Sequence, residues 1–145
     1  MMRIKVIGGG PGGLYFALLT KKAKPRWDIE VIEQNRDDDT FGFGVVFSDD
    51  TLDEFLCHDP KSYERIREKF AYWDDVAIHY KGNEIRCGDN GFCGLSRITL
   101  LKLLHARCRE EGVNLTFSRR VGPQEIEQLC SSADIVVAGG GINSG

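Results

Sequence analysis

Apolar residues fall in short blocks separated by glycine-rich or charged stretches, and their spacing changes along the chain. Residues 3–7 (RIKVI) form a brief apolar run ending at a glycine cluster, which predicts a buried parallel strand. From Gly12 to about Lys24, the positions Leu14, Phe16, Ala17, Leu18 and Leu19 predict a helix. Lys21, Lys22 and Lys24 suit its C-terminal end, where exposed carbonyls favour cations, and Pro25 stops it. Residues 28–33 (DIEVIE) alternate apolar and acidic side chains and predict a second strand. Strand, glycine turn, helix and strand make one βαβ unit.

The texture then changes. Asp37, Asp38 and Asp39 read as a solvated loop, and the apolar run FGFGVVF (41–47) is too glycine-rich for an ordinary strand. A helical stretch over 48–70 is broken at Pro60, with Asp49 or Asp50 as its cap. DVAIHY (75–80) and NEIRC (83–87) flank Lys81-Gly82 and predict a hairpin. Ile98, Leu100, Leu101, Leu103 and Leu104 predict a long helix from Ser96 to about Glu111, closed by Gly112. A strand over 113–118, a short helix over 124–130 and a strand over 133–138 follow. The sum is an α/β, Rossmann-like βαβ dinucleotide-binding domain with a mainly parallel sheet and a small β-hairpin.

Composition narrows the possibilities without choosing among them. The 145 residues are about the size of one domain, and 41% hydrophobic with 28% charged content is that of an ordinary globular protein. A net charge of −3 gives no electrostatic footprint for nucleic acid, and no apolar run is long enough to span a bilayer. The start of the chain lacks signal-peptide features, so the expected location is cytoplasmic. Five cysteines without a CxxC pair, and three scattered histidines, predict neither a disulfide framework nor a metal site.

The segment GGGPGG carries the chemistry. Gly8, Gly10 and Gly13 satisfy G-x-G-x-x-G directly after a strand and at the opening of a helix. Gly8 permits the tight exit, Gly10 lets a pyrophosphate approach the backbone, and Gly13 lets the helix pack closely on the sheet. The helix start then offers N–H groups and the positive dipole end to phosphate. Glu33, twenty residues past Gly13 at the end of the next strand, is placed to accept hydrogen bonds from ribose hydroxyls and to repel a 2′-phosphate. The spacing does not distinguish FAD from NAD.

Five segments resemble the first part of the FAD-dependent aromatic hydroxylases: RIKVIGGGPGGLYFALLTKK, DIEVIEQN, FGFGVVFSD, GLSRITLLKLL and ADIVVAGGGINS. The similarity is greatest to the branch acting on aryl-CoA thioesters and to its relatives in violacein synthesis, which share a near-identical FGWGVVFSD. The resemblance implies that Gly8, Gly10, Pro11, Gly12 and Gly13 hold the FAD pyrophosphate. It places Glu33 on the adenosine ribose with Gln34 and Asn35 beside it. Gly44 and Val45 then lie in a loop near the flavin, Arg97 reaches FAD from the start of the long helix, and Val121 holds adenine through its backbone. It further implies NAD(P)H as co-substrate and a small aromatic or aryl-CoA substrate in the complete enzyme. No catalytic acid or base is implied, and Ser48, Asp49 and Asp50 are expected to cap a helix. Two departures stand out: Gly139-Gly140-Gly141 replaces the usual Ala-Asp-Gly, and such hydroxylases continue well past residue 145. The expectation is therefore an incomplete N-terminal FAD-binding portion, inactive alone, whose uncovered apolar surfaces favour self-association. Two other readings fit parts of the pattern, an NAD-binding oxidoreductase module and a non-catalytic nucleotide-binding remnant.

Overall fold

A computed structural model describes residues 1–141. These group into two compact units, one made of Met1–Phe41 and the chain from Leu100 onward, the other of Gly42–Thr99.

The first unit is built on a four-stranded parallel sheet. Its strands are β1 (Arg3–Ile7), β2 (Asp28–Ile32), β8 (Asn114–Thr116) and β9 (Ile135–Ala138), in the order β8-β2-β1-β9. Strand β1 therefore lies between its sequence neighbour β2 and the last strand β9, and the order reverses at that point. Open α/β sheets bind ligands in the crevice at such a reversal. Helix α1 (Pro11–Ala23) connects β1 to β2, and α5 (Pro123–Ser132) connects β8 to β9. Of α4 (Arg97–Glu111), the part from Leu100 belongs here. Ile4, Val6, Ile29, Val31 and Ile32 of the sheet, with Leu14, Ala17 and Leu18 of α1, are at most 1% exposed. Each such aliphatic side chain contributes roughly 1.5–3 kcal/mol by leaving water.

The predicted helix ends hold for physical reasons. Pro11 stands in the first turn of α1, where its missing N–H costs nothing, and Gly112 closes α4 at a φ of +90°.

The second unit contains β3 (Gly44–Ser48), β4 (Ala71–Trp73) and β7 (Phe92–Ser96), which form an antiparallel sheet in the order β3-β7-β4. Here the expectation for FGFGVVF is corrected, because Gly44–Ser48 is a regular strand paired with β7 from Gly44↔Ser96 to Ser48↔Phe92. The glycine is compatible because Leu95 O passes 2.9 Å from where a Cβ would stand at Gly44. The strands β4 and β7 were not anticipated. Helices α2 (Asp49–His58) and α3 (Pro60–Arg67) meet at Asp59, so the break falls at Pro60 as predicted. The cap of α2 is Ser48, whose Oγ accepts from the Thr51 N–H at 3.4 Å; Asp49 and Asp50 instead occupy the first turn, where acidic groups suit the dipole. Ser96 plays the same part for α4, accepting from the Thr99 N–H at 3.2 Å. The hairpin of β5 (Val76–Tyr80) and β6 (Asn83–Cys87) turns at Lys81-Gly82, both with positive φ, as a two-residue hairpin turn requires.

Candidate functional site

The glycine turn lies at the C-terminal end of β1, and its glycines are required for different reasons. Gly8 has a φ of +106°, and a Cβ there would lie 2.5 Å from Gly139 C and Gly140 N. Only glycine fits. At Gly13 a Cβ would run into Gly8 O and press on Val6, so the helix start sits directly against the turn. Gly139 packs reciprocally, with Gly8 O and the Gly13 Cα both within 3.4 Å of a Cβ on it. The two segments are joined by the Gly139 N–H donating to Ile7 O at 2.7 Å.

Gly10 and Gly12 are different. A Cβ on Gly10 would meet only Gly139 O, at 3.9 Å, and one on Gly12 would meet nothing within 4 Å. Neither has positive φ. Packing among the described residues gives no reason for glycine at either position, and the face of the turn above them is open to the backbone. Gly10 is also the cap of α1 and makes no side-chain cap, and the first turn has no acidic residue. The N–H groups at this helix start are thus left for an external acceptor. These features fit a diphosphate, the group that glycine turns at helix starts accommodate.

Glu33 follows directly on β2 and leans over the turn. Its Oε2 accepts from the Gly9 N–H at 2.6 Å and its Oε1 from the Asn35 N–H at 2.8 Å. A carboxylate offers about four lone-pair sites, so two remain for further donors. The backbone around it is fastened to the next loop. Glu33 N–H donates to Thr116 O, the Arg119 N–H to Glu33 O, and the Ser118 N–H to Asn35 O, at 2.8–2.9 Å. Ser118 achieves this with a φ of +55°, a left-handed conformation that serine adopts at some cost. Val121 is half-buried two residues beyond this fastening, whereas Gln34 is exposed.

His105 is buried, with its ring edge-on to Phe117 at 4.9 Å, and the Arg109 guanidinium lies over the Phe117 ring, 5.8 Å from its centroid. Burial, reinforced by Arg109, lowers the His105 pKa against the opposing pull of Asp37 and Glu33.

The structure thus brings together Gly8, Gly10, Pro11, Gly12, Gly13, Glu33 and Asn35 in the first unit. Gly44, Val45 and Arg97 belong to the second. There Arg97 donates its backbone N–H to Phe43 O at 3.2 Å, its Cδ is 4.0 Å from a Cβ position on Gly42, and its buried Nε has no hydrogen-bond partner. A buried guanidinium donor without an acceptor is a rare state and fits a residue that meets an anionic ligand. The residues Ile142, Asn143 and Ser144 that extend the GGG segment lie outside the described residues. Gly9 was not singled out by the motif, although the triple glycine at 8–10 was a visible signal.

The fold and turn define an α/β protein whose glycine turn opens a helix at the reversal of strand order. The particular relatives sharpen this. The chain is 44% identical over 144 residues to salicyloyl-CoA 5-hydroxylase of a Streptomyces species, covering 99% of this chain and 27% of the relative. It is 31% identical to protodeoxyviolaceinate monooxygenase of Chromobacterium violaceum, across 98% of this chain and 38% of that protein. Among solved structures, the tetrameric form of 2-methyl-3-hydroxypyridine-5-carboxylic acid oxygenase superposes with a TM-score of 0.71 at 19% identity, over 81% of this chain and 32% of that one. No family model matches. The resemblance to aromatic hydroxylases and the fold class both stand, and the chain spans about a quarter to two-fifths of the curated relatives it matches.

Proposed function

We propose that residues 1–145 form the FAD-binding portion of a flavin-dependent aromatic monooxygenase acting on an aryl-CoA-type substrate with NAD(P)H and oxygen. The observation that carries this reading is the open face over Gly10 and Gly12, set at the reversal of strand order with the Glu33 carboxylate alongside. The similarity to salicyloyl-CoA 5-hydroxylase supports the substrate class. When bound, FAD supplies electron transfer from NAD(P)H and activation of oxygen. This chain's residues bind and orient it: the backbone N–H groups of Gly10, Gly12 and Gly13 hold the diphosphate with Gly8 and Pro11 shaping the turn, Glu33 accepts from the ribose with Gln34 and Asn35 beside it, and Val121 offers backbone to adenine. The resemblance also assigns Arg97, Gly44 and Val45 of the second unit to the cofactor, and the unpartnered Arg97 Nε supports that role for the guanidinium.

No helix among the described residues is long and apolar enough to cross a membrane. The reading places the protein in the cytoplasm. Pairing of β5 with β6 puts Val76, Ile78, Tyr80 and Ile85 on one face, each 37–63% exposed, and this apolar face supports self-association.

The test is a thermal-shift titration of the purified chain with FAD, FMN, NADH and ADP. FAD and ADP raise the melting temperature, and Gly10→Val abolishes both shifts while leaving the unliganded melting temperature near that of the wild type. Stabilisation by NADH without flavin uptake would overturn the flavin reading in favour of an NAD-binding module.

A further inference from the structure

We infer that β6 is a self-complementary edge through which two copies of this chain join their hairpins into one antiparallel four-stranded sheet; this rests on the self-association reading above and deepens it. The β5–β6 ladder is a sheet of two strands only, and every residue in both is exposed. A two-stranded ribbon is marginally stable in water, and further strands are the usual remedy. Neither strand contains proline or lysine, the common guards of an open edge. The register shows which backbone groups are free. Tyr80 and Asn83 flank the two-residue turn and pair with each other, so Asn83, Ile85 and Cys87 turn their N–H and C=O groups towards β5. Those of Glu84 and Arg86 point to the open edge.

Side chains alternate in the same way. Ile78 and Ile85 stand opposite each other on one face, and Ala77, His79, Glu84 and Arg86 occupy the other. An acid and a base therefore flank Ile85 symmetrically. A second copy related by a twofold axis through Ile85 sets each Glu84 opposite an Arg86, and these are the residues whose backbone groups are free to pair. Charged residues ordinarily discourage edge pairing, but this order of acid, apolar and base reverses into its own complement. Within one copy Glu84 accepts from Arg86 Nε at 2.5 Å, with His79 Nδ1 3.6 Å from Glu84 and Asp75 3.9 Å from Arg86. The Glu84 and Arg86 side chains are still 41% and 64% exposed, so both remain open to a second partner. Exposed ion pairs add little energy, and their part here is to fix the register. Sliding one copy by two residues sets Glu84 against Glu84 or Arg86 against Arg86. Sliding it by one brings the apolar face of one copy level with the polar face of the other.

The test has two independent arms, both on the full chain. In the first, the exposed cysteines are removed (Cys57→Ser, Cys87→Ser, Cys130→Ser) and a single new thiol is introduced. Ile85 faces its own copy as a pair without backbone hydrogen bonds, where Cα atoms stand about 4.5 Å apart, within disulfide range. Under mild oxidation Ile85→Cys forms a covalent dimer. Ile78→Cys, separated from its counterpart by both β6 strands, does not. In the second arm, sedimentation shows Glu84→Lys and Arg86→Glu each associating about tenfold more weakly than the wild type, and an equimolar mixture of the two recovering the wild-type affinity. Mixing cannot restore an ion pair that lies within one copy. Equal cross-linking through Ile78→Cys, no cross-linking through Ile85→Cys, or a mixture no tighter than its components overturns the inference and leaves self-association to another surface. A wild type that stays monomeric at every concentration overturns both, and neither result bears on nucleotide binding.

Discussion

The two units treat their apolar residues in opposite ways. In the first, alternate residues of β1 and most of β2 are sealed between sheet and helices, and the glycine turn is locked against Gly139. In the second, every residue of β5 and β6 is exposed, although Ile78 and Ile85 face each other across the ladder. The first unit buries most of the apolar residues of β1, β2 and α1, and the ground above Gly10 and Gly12 is open. The second retains an uncovered apolar face. Burial thus concentrates in the parallel sheet and its helices, and apolar exposure in the hairpin.

The contrast can be broken most severely at Gly8. Gly8→Ala forces a side chain into the Gly139 backbone at positive φ and destabilises the first unit by roughly 3 kcal/mol or more, seen as a lowered urea midpoint. Gly12→Ala, with no neighbour within 4 Å, changes stability by less than about 0.5 kcal/mol. Next comes Glu33→Ala, which weakens ADP binding by roughly 1–3 kcal/mol in calorimetric titration.

Acid sharpens the comparison through His105. Its folded pKa is lowered, so below the ordinary value of about 6.5 the unfolded chain takes up a proton that the folded chain refuses. Stability from this residue is thus complete above that value and falls as pH drops, by at most about 1.4 kcal/mol per pH unit. Urea unfolding of His105→Gln at pH 7 and pH 5.5 shows a smaller difference than the wild type. The smallest effect on folding is at the hairpin: Ile78→Thr with Ile85→Thr alters stability by about 0.5 kcal/mol or less, yet reduces any concentration-dependent association in sedimentation.

Legibility from sequence follows the same division. The βαβ unit, its glycine turn and the acidic residue after β2 were readable because each local signal agrees with the next: a strand-like run, a turn that needs glycine, a helix with a basic end. The antiparallel sheet was not readable, because glycine in a strand argues against pairing when only propensity is considered. Gly44 and Gly94 are there for tertiary reasons, one to admit Leu95 O and the other to lie under the Trp73 ring at 3.2 Å from a Cβ position. Within the site, the spacing from Gly13 to Glu33 pointed to the ribose. It could not show that both carboxylate oxygens already hold backbone N–H groups, since Asn35 and Gly9 become partners only when the loop folds over the turn.

The placement of β1 also shapes how the molecule is assembled. Its neighbour β2 follows it directly in sequence, but its other neighbour β9, and the Gly139 that packs on the glycine turn, come from the far side of the Gly42–Thr99 stretch. A nascent chain therefore carries an unsupported glycine turn until β9 has been made, whereas Gly42–Thr99, being one continuous stretch, has its internal partners in hand before then. Pairing between strands so distant in sequence is slow compared with local pairing, so β1 finds β2 before it finds β9.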